Sequence, residues 1–570
     1  MSRAERHISL FGNVLYLKDV KRPLLRCFAL GLMLCGAVMT SGCLPSGRMQ
    51  VQNSAVEVAD TTLFPQSLAF FAQKAGGLKV LRSDDDAAKD MVEFRRQFFS
   101  PWTKTSADAE SLRYFADILS WQGERRGFAE NMRPWSDAEW EAMVRNAALC
   151  LKAPNAVGSP ASAASPAPQA ESSSLQTSAP APLEQTSSAS PSETDLAVVT
   201  VTTEQRETAA PATLGSEHLH LDGLPDQLQT SSSSLAPSTV ATSAEALRAG
   251  ITVRAADLRN APTMRPRFSR LEGAGQGWPF DEFQQSAVSV GVPVMVHHVS
   301  LDGAWMLVET AGVWGWILAD AVALVDKPFM EYWQSAPLGA FVQDGISLRA
   351  GAASSQDALG AAFIATANIG TVLPMPSSGH VLTPLRGLDG TASALTVRLG
   401  KDSPSVVAMP LRLTPHAVAL IGDRMMGQPY GWGGMYGRRD CSAMMRDMFS
   451  AFGIWLPRNS GEQVRRGEQV ALEGVGALAK EALILEKAEP FRSLLWMPGH
   501  IGLYIGEHEG QAAWFHNMWG LRSTLKDGSE GRAILGRAVV TSLRPGQERA
   551  DMKPETLLIE RLSAISTLKK

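Results

Sequence analysis

From Ala153 to about Ala244 the chain is built of Ser, Ala, Pro, Thr and Gln with hardly an aromatic side chain. Such a segment buries too little apolar surface to offset the entropy of ordering it, so residues 152–246 are read as a disordered insertion. Whatever folds must fold on either side of it. At 570 residues the chain exceeds one hydrophobic core in any case, and three or more domains are expected. His218 and His220 stand inside the insertion as an isolated pair, expected to be solvated rather than to bind metal.

Ahead of the insertion, Cys27 to Met39 form an uncharged apolar run behind Lys18, Lys21, Arg22 and Arg26, and Ser41 and Gly42 follow. That is the layout of an export signal ending at residue 42, with a run too short to cross the ~30 Å hydrocarbon layer. Thr40-Ser41-Gly42-Cys43 resembles a bacterial lipobox, which implies lipidation of Cys43 and attachment to a membrane there, with ordinary cleavage of the leader as the alternative. Leu44, in place of an aspartate, favours the outer membrane of an envelope that has two. Loss of the leader leaves Cys43, Cys150 and Cys441, so no disulfide framework is expected. Cys150 closes a helical-looking run and is read as a small buried thiol.

Residues 43–60 are read as a linker and 61–151 as a helical domain, with Tyr114, Phe115, Ile118, Leu119 and then Trp140, Met143, Val144, Ala147 at helical spacing. Beyond the insertion, short alternating runs bounded by Gly and Pro suggest two small β-barrels, 247–327 and 328–408. A further domain, 409–548, and a tail, 549–570, complete the chain. With 53 Lys and Arg against 57 Asp and Glu, the net charge of −4 gives no electrostatic reason for a nucleic-acid partner. Gly273 to Gly277 lacks the G-x-G-x-x-G spacing of a nucleotide loop, and no cofactor is expected.

The chemistry concentrates after residue 409. A glycine-rich loop, Gly427 to Gly434, leads to Asp440-Cys441-Ser442, after which Met444, Met445, Met448 and Phe452 fall at helical spacing. Asp440 is a good N-cap, which places Cys441 in the first helical turn, where the dipole and free amides favour a thiolate. An attacking cysteine also needs an imidazole. His500 to Gly506 and Ala512 to Met518 read as strands joined by a turn at 507–510, and a hairpin centred there pairs positions whose numbers sum to about 1016. His500 then faces His516 at roughly 4.5–5.5 Å between Cβ atoms. His500 is assigned as base and His516 as the residue that orients it. A metal site from His500, His508, His516 and Cys441 is disfavoured because His508 is expected in an exposed turn.

Pro429-Tyr430-Gly431-Trp432-Gly433-Gly434, Asp440-Cys441-Ser442 and Gly499-His500-Ile501-Gly502 resemble the NlpC/p60 family of cell-wall cysteine peptidases. The stretches Gly277 to Ser286 and His298 to Trp305 resemble the first SH3-like barrel of its multidomain members, and Glu130 to Pro134 their N-terminal domain. The resemblance implies an α+β chain: a papain-like catalytic domain preceded by two SH3-like β-barrels and an N-terminal helical domain. It implies a Cys441, His500, His516 triad, Tyr430 and Trp432 lining the pocket, and Asp440, Ser442 and Ser460 touching the peptide. Asp281 or Glu282, with Trp314, would hold the free amine of a stem peptide. The implied activity is hydrolysis of the γ-D-glutamyl–diamino-acid bond, with meso-diaminopimelate the expected diamino acid, in peptidoglycan stems with a free L-Ala. The alternatives are an inert wall-binding lipoprotein and an acyltransferase using the same thiolate.

Overall fold

The computed structural model describes residues 58–149, 247–270, 276–351, 361–399 and 405–569. The leader, Cys43, Cys150, His218, His220 and the whole of the insertion lie outside the described residues.

The N-terminal helices start where the sequence offers caps. Ser83 caps Asp84–Phe98, Asp108 caps Ala109–Leu119, and a Ser136/Glu139 capping box opens Asp137–Ala147. These helices form the expected N-terminal helical region, and its two halves pack into two different clusters. Phe64, Leu68, Phe71, Phe94, Phe98 and Trp102 join the core of the C-terminal domain. Phe115, Ile118, Trp135, Trp140 and Met143 instead pack on Phe283, Trp305 and Trp316 of the first barrel.

The first barrel is a seven-stranded antiparallel sheet ordered Gln284–Val288, Ala256–Arg259, Trp314–Leu318, Trp305–Glu309, Pro293–Val299, Arg248–Thr252, Val322–Leu324. The helix Lys327–Ser335 leads to a second module, in which Leu338–Phe341 pairs with Val372–Pro374 and Val406–Ala408 while two hairpins complete it. Arg439 ties this module to the C-terminal domain through Asp344, at 2.7 and 3.0 Å, and the Ile369 carbonyl.

The C-terminal domain sets the helices Pro415–Met425 and Cys441–Ser450 against a six-stranded sheet ordered Glu468–Ala471, Ala564–Thr567, Ser493–Met497, His500–His508, Gln511–Thr524, Glu530–Thr541. Alternate strand residues feed two clusters: Ile501, Leu503 and Phe515 pack with the cysteine helix, Leu495, Tyr504 and Trp514 with Ile484 and Leu558. Residues 549–570 are therefore not a tail. Ala564–Thr567 is an interior strand between two others, and its four residues are too few for alternation to mark it in the sequence.

The hairpin register also differs from the expectation. His516 pairs with Gly502, not His500, because the turn is Glu509-Gly510 and a bulge sits between Tyr504 and Gly506. Both turn residues have positive φ, 51° and 78°, which fixes a tight two-residue turn one position later than 507–510 implies. His508 ends its strand, half-buried against the rings of Phe64 and Phe70 at 5.4 and 5.6 Å, and is not in an exposed turn.

Candidate active site

Cys441 opens its helix with Asp440 at the N-cap, whose carboxylate accepts from the Ala443 amide at 2.8 Å. The cysteine is 7% exposed, and the Ile501 amide donates to its sulfur, which sets it beside the first residues of the His500–His508 strand. Burial, and then the Asp440 carboxylate, push the thiol up to about 12 against the opposing Ile501 amide and Arg458 charge. The expected lowering by the helix end is thus overturned, because desolvation outweighs the dipole once the sulfur is closed in. The resting thiol is neutral and needs a base.

Two imidazoles lie together on the adjoining strands, His500 being the residue before the Ile501 whose amide reaches the sulfur. His500 Nε2 is 2.8 Å from His516 Nδ1, and His516 Nε2 is 3.1 Å from Thr541 Oγ1. The two-residue register slip leaves the contact possible, since His500 and Gly502 share a strand face and a diagonal pair is within reach of long side chains. Gly502 makes the room. A Cβ there would fall 2.4 Å from Trp514 Nε1 and 2.6 Å from His516 Cβ. Trp514 stacks on His516 with centroids 4.5 Å apart and planes at 10°. Burial lowers His516 to about 3, and burial with the neighbouring His516 lowers His500 well below its ordinary value, so both are neutral bases.

The remaining sequence-chosen residues divide. Asp440 is committed to Arg458, at 2.6 and 3.2 Å, and Ser442 Oγ accepts from the same guanidinium at 2.9 Å. Burial alone would raise the Asp440 carboxyl, but the Arg458 charge holds it below its usual value. Tyr430 stands near the cysteine: burial and the Cys441 and Asp440 charges push its phenol well up. Trp432 donates to the Asp281 carbonyl at 3.0 Å and meets the Phe280 ring edge-on at 5.0 Å, so it packs the glycine loop on the first barrel. Gly433 and Gly434 allow this approach, since a Cβ on either would fall within 3 Å of Gln284 or Ala287. Ser460 begins the short helix Ser460–Gln463, half-buried.

Asp281 is not open to a ligand. It is 1% exposed and spends its carboxylate on Arg259 at 2.8 Å and on the amides of Arg267 and Phe283. Glu282 is exposed and paired with Arg267. Trp314 gives its ring face to His297, 3.9 Å between centroids, and is not brought to the cysteine by any contact among the described residues. Sequence reasoning missed Arg458, Gln463 and Thr541. Arg458 also donates to Ser286 Oγ of the barrel at 2.8 Å, and Gln463 Nε2 donates to the Ser442 carbonyl at 2.8 Å. An arginine or threonine bound for the interior carries no mark of it in a lone sequence.

A buried cysteine at a helix N-terminus, beside a sheet that carries two hydrogen-bonded imidazoles, defines the papain-like class of cysteine hydrolases. Within that class, three family profiles match: the NLPC_P60 stabilising domain, N term, over 24–150, the SH3 domain of SH3b1 type over 266–318, and the NlpC/P60 family over 427–518. Residues 427–518 thus match the NlpC/P60 family of peptidoglycan hydrolases, whose peptidases are cysteine peptidases, and the two preceding matches are to domains that resemble those of its multidomain members. A gamma-D-glutamyl-L-lysine dipeptidyl-peptidase of Bacillus subtilis (strain 168) is 28% identical over 137 residues, 24% of this chain and 42% of that protein. The chain thus spans less than half the length of that relative. An NlpC/P60 endopeptidase from Photobacterium damselae subsp. piscicida shares the fold, with TM-score 0.63 and 21% identity over 88% of this chain and 97% of its own. An NlpC/P60 family protein from Bacillus cereus ATCC 10987 aligns over 56% of this chain and 98% of its own, with 19% identity and TM-score 0.35.

Proposed function

We propose that this protein is an exported cysteine endopeptidase that hydrolyses the γ-D-glutamyl–diamino-acid bond of peptidoglycan stem peptides. The observation that carries the reading is the 2.8 Å contact between His500 and His516 beside a closed-in Cys441. His500 takes the thiol proton as Cys441 Sγ attacks the γ-carbonyl, and returns it to the departing amine. Water, deprotonated by His500, then opens the thioester and restores the thiol. His516 holds His500 in place, as the third member of such triads does. The name of the Bacillus subtilis relative supports the bond class, and meso-diaminopimelate in place of lysine remains part of the proposal.

Selectivity for a free L-Ala amine is proposed to come from the first barrel, which the glycine loop holds against the cleft. Of the two acidic candidates, Glu282 alone is exposed, and its carboxylate would be shared between Arg267 and that amine. Residues 1–42 direct export, and lipidated Cys43 tethers the protein in the envelope. Mass spectrometry of L-Ala-γ-D-Glu-meso-diaminopimelate, with and without an N-acetyl cap, tests the reading on wild type and Cys441→Ala. Release of L-Ala-D-Glu from the uncapped peptide, by wild type only, is expected. Cleavage of neither peptide would leave the wall-binding role, and transfer to an added amine in place of hydrolysis would make the chain an acyltransferase. Incorporation of labelled palmitate into wild type but not Cys43→Ser tests the tether.

A further inference from the structure

The hydrogen-bonded chain does not end at His516. Thr541 Oγ1, 3.1 Å from His516 Nε2, also lies 2.7 Å from the Ser542 carbonyl oxygen. A carbonyl can only accept, so the hydroxyl proton goes there and the oxygen accepts from the imidazole. That assigns the rest by valence. His516 carries its proton on Nε2 and presents a lone pair at Nδ1; His500 donates Nε2–H to it; His500 Nδ1 is left as the lone pair able to take a thiol proton. One hydroxyl at the far end therefore selects which nitrogen of His500 is basic.

What holds Thr541 comes from the other end of the chain. Glu530–Thr541 is the edge strand of its sheet; its outer side bonds to the glycine loop at Gly536 and Ala538 and lies open past Ala538. On the open side the carboxamide of Gln66 acts as a substitute strand, donating to the Val540 carbonyl at 2.8 Å and accepting from the Val540 amide at 3.0 Å. Two residues on, the buried Asp60 accepts from the Ser542 amide at 2.6 Å. The backbone is thus gripped immediately before and immediately after Thr541, by side chains of the segment that opens the described chain.

We propose that Thr541 is a positioning residue for the proton transfer, and that the N-terminal segment holds it in register through Asp60 and Gln66. This rests on the reading of Cys441, His500 and His516 as the reacting groups. Without the Thr541 acceptor, His516 is free to carry its proton on Nδ1, where it meets the His500 proton; His500 then moves its own proton to Nδ1 and no longer accepts from the thiol. The N-terminal segment thereby acts on the chemistry as well as on the fold.

The test uses the full chain as wild type, Thr541→Val, Thr541→Ser and the double variant Asp60→Ala with Gln66→Ala. Three quantities are read: kcat and KM on the γ-glutamyl peptide, the rate of Cys441 alkylation by iodoacetamide at neutral pH, and the thermal midpoint. Loss of one neutral hydrogen bond should lower kcat and the alkylation rate about tenfold in Thr541→Val, with KM within about twofold and Thr541→Ser close to wild type. The double variant should lower kcat about three- to fivefold at unchanged KM. Wild-type kcat and alkylation in Thr541→Val, or a Thr541→Ser protein as impaired as the valine, would overturn the role of the hydroxyl. A double variant that loses only thermal stability would overturn the role of the N-terminal segment. Alkylation does not depend on which peptide is cut, so a serine rescue seen there, with no peptide cleaved even by wild type, would uphold the positioning role and sink the proposed activity.

Discussion

Two buried polar networks border Cys441, and they are built on opposite principles. On one side Arg458 and Asp440, 5% and 9% exposed, form an ion pair at 2.6 Å with Ser442 and Ser286 as further partners. On the other, His500, His516 and Thr541 form a chain with no formal charge, because burial keeps both imidazoles neutral. The ionic side has no proton to move near neutrality: a guanidinium does not release one, and Asp440 is held below its usual value. It fixes the start of the helix and the seat of the first barrel. The neutral side is where a proton can travel. The Asp440 charge even opposes thiolate formation, and in the proposed mechanism activation comes from the imidazoles.

The sharpest way to break this contrast is to remove one group from each side. His500→Ala should lower kcat about 10,000-fold, the upper range for a lost general base, with a nearly unchanged thermal midpoint. Arg458→Met should do the reverse in kind, costing about 3–5 kcal/mol in urea unfolding because Asp440 is left buried and charged without a partner. Changing both, Arg458→Met with Asp440→Asn, should recover part of that loss, since the uncompensated charge is gone and Asn still caps the helix. If the double variant is no more stable than Arg458→Met, the ionic side is not governed by unpaired charge.

A smaller effect probes the geometry of the neutral side. Gly502→Ala places a Cβ 2.4 Å from Trp514 Nε1 and 2.7 Å from the Phe515 carbonyl, so a strand or ring must shift, at about 1–3 kcal/mol. His516 stacks on that ring, and kcat should fall with stability. Full activity in a destabilised Gly502→Ala protein would show that the imidazole pair tolerates movement.

The same two sides differ in how far the sequence discloses them. The helix start at Cys441 and the contact between His500 and His516 were legible because their neighbours are distinctive: a glycine loop, an N-cap and a Gly-His-x-Gly strand. The exact pairing was not, since one bulge at Ile505 and a turn displaced by one position shift the register by two, and neither leaves a periodic trace. The direction of the thiol shift was misjudged because it depends on closure by distant segments. Arg458 on the ionic side was invisible, and Asp281 was mistaken for a ligand, because a carboxylate held by a buried arginine is indistinguishable in sequence from a free one. The N-terminal region was legible as helical, but only the structure shows its helices completing two different cores.

Acid unfolding separates the two sides by pH. His516, lowered from 6.5 to about 3, and His500, lowered further from its ordinary value, have folded pKa values below their unfolded ones, so their contribution to stability is complete above about pH 6.5 and is lost as pH falls from there. The slope is at most about 1.4 kcal/mol per pH unit for each proton taken up. Asp440, lowered from 3.8, begins to cost stability only below that value, and Cys441, raised from 9.0 to about 12, only as pH rises past 9.0. Between pH 6.5 and 3.8 the imidazoles should therefore dominate what these groups add. Urea midpoints of wild type, His500→Ala and the Arg458→Met/Asp440→Asn protein across that window are expected to fall less steeply in His500→Ala and with wild-type slope in the charge-free variant. Equal slopes in all three would mean that the imidazoles are not held neutral by burial, and the distinction between a charged frame and a neutral relay would fail at that point.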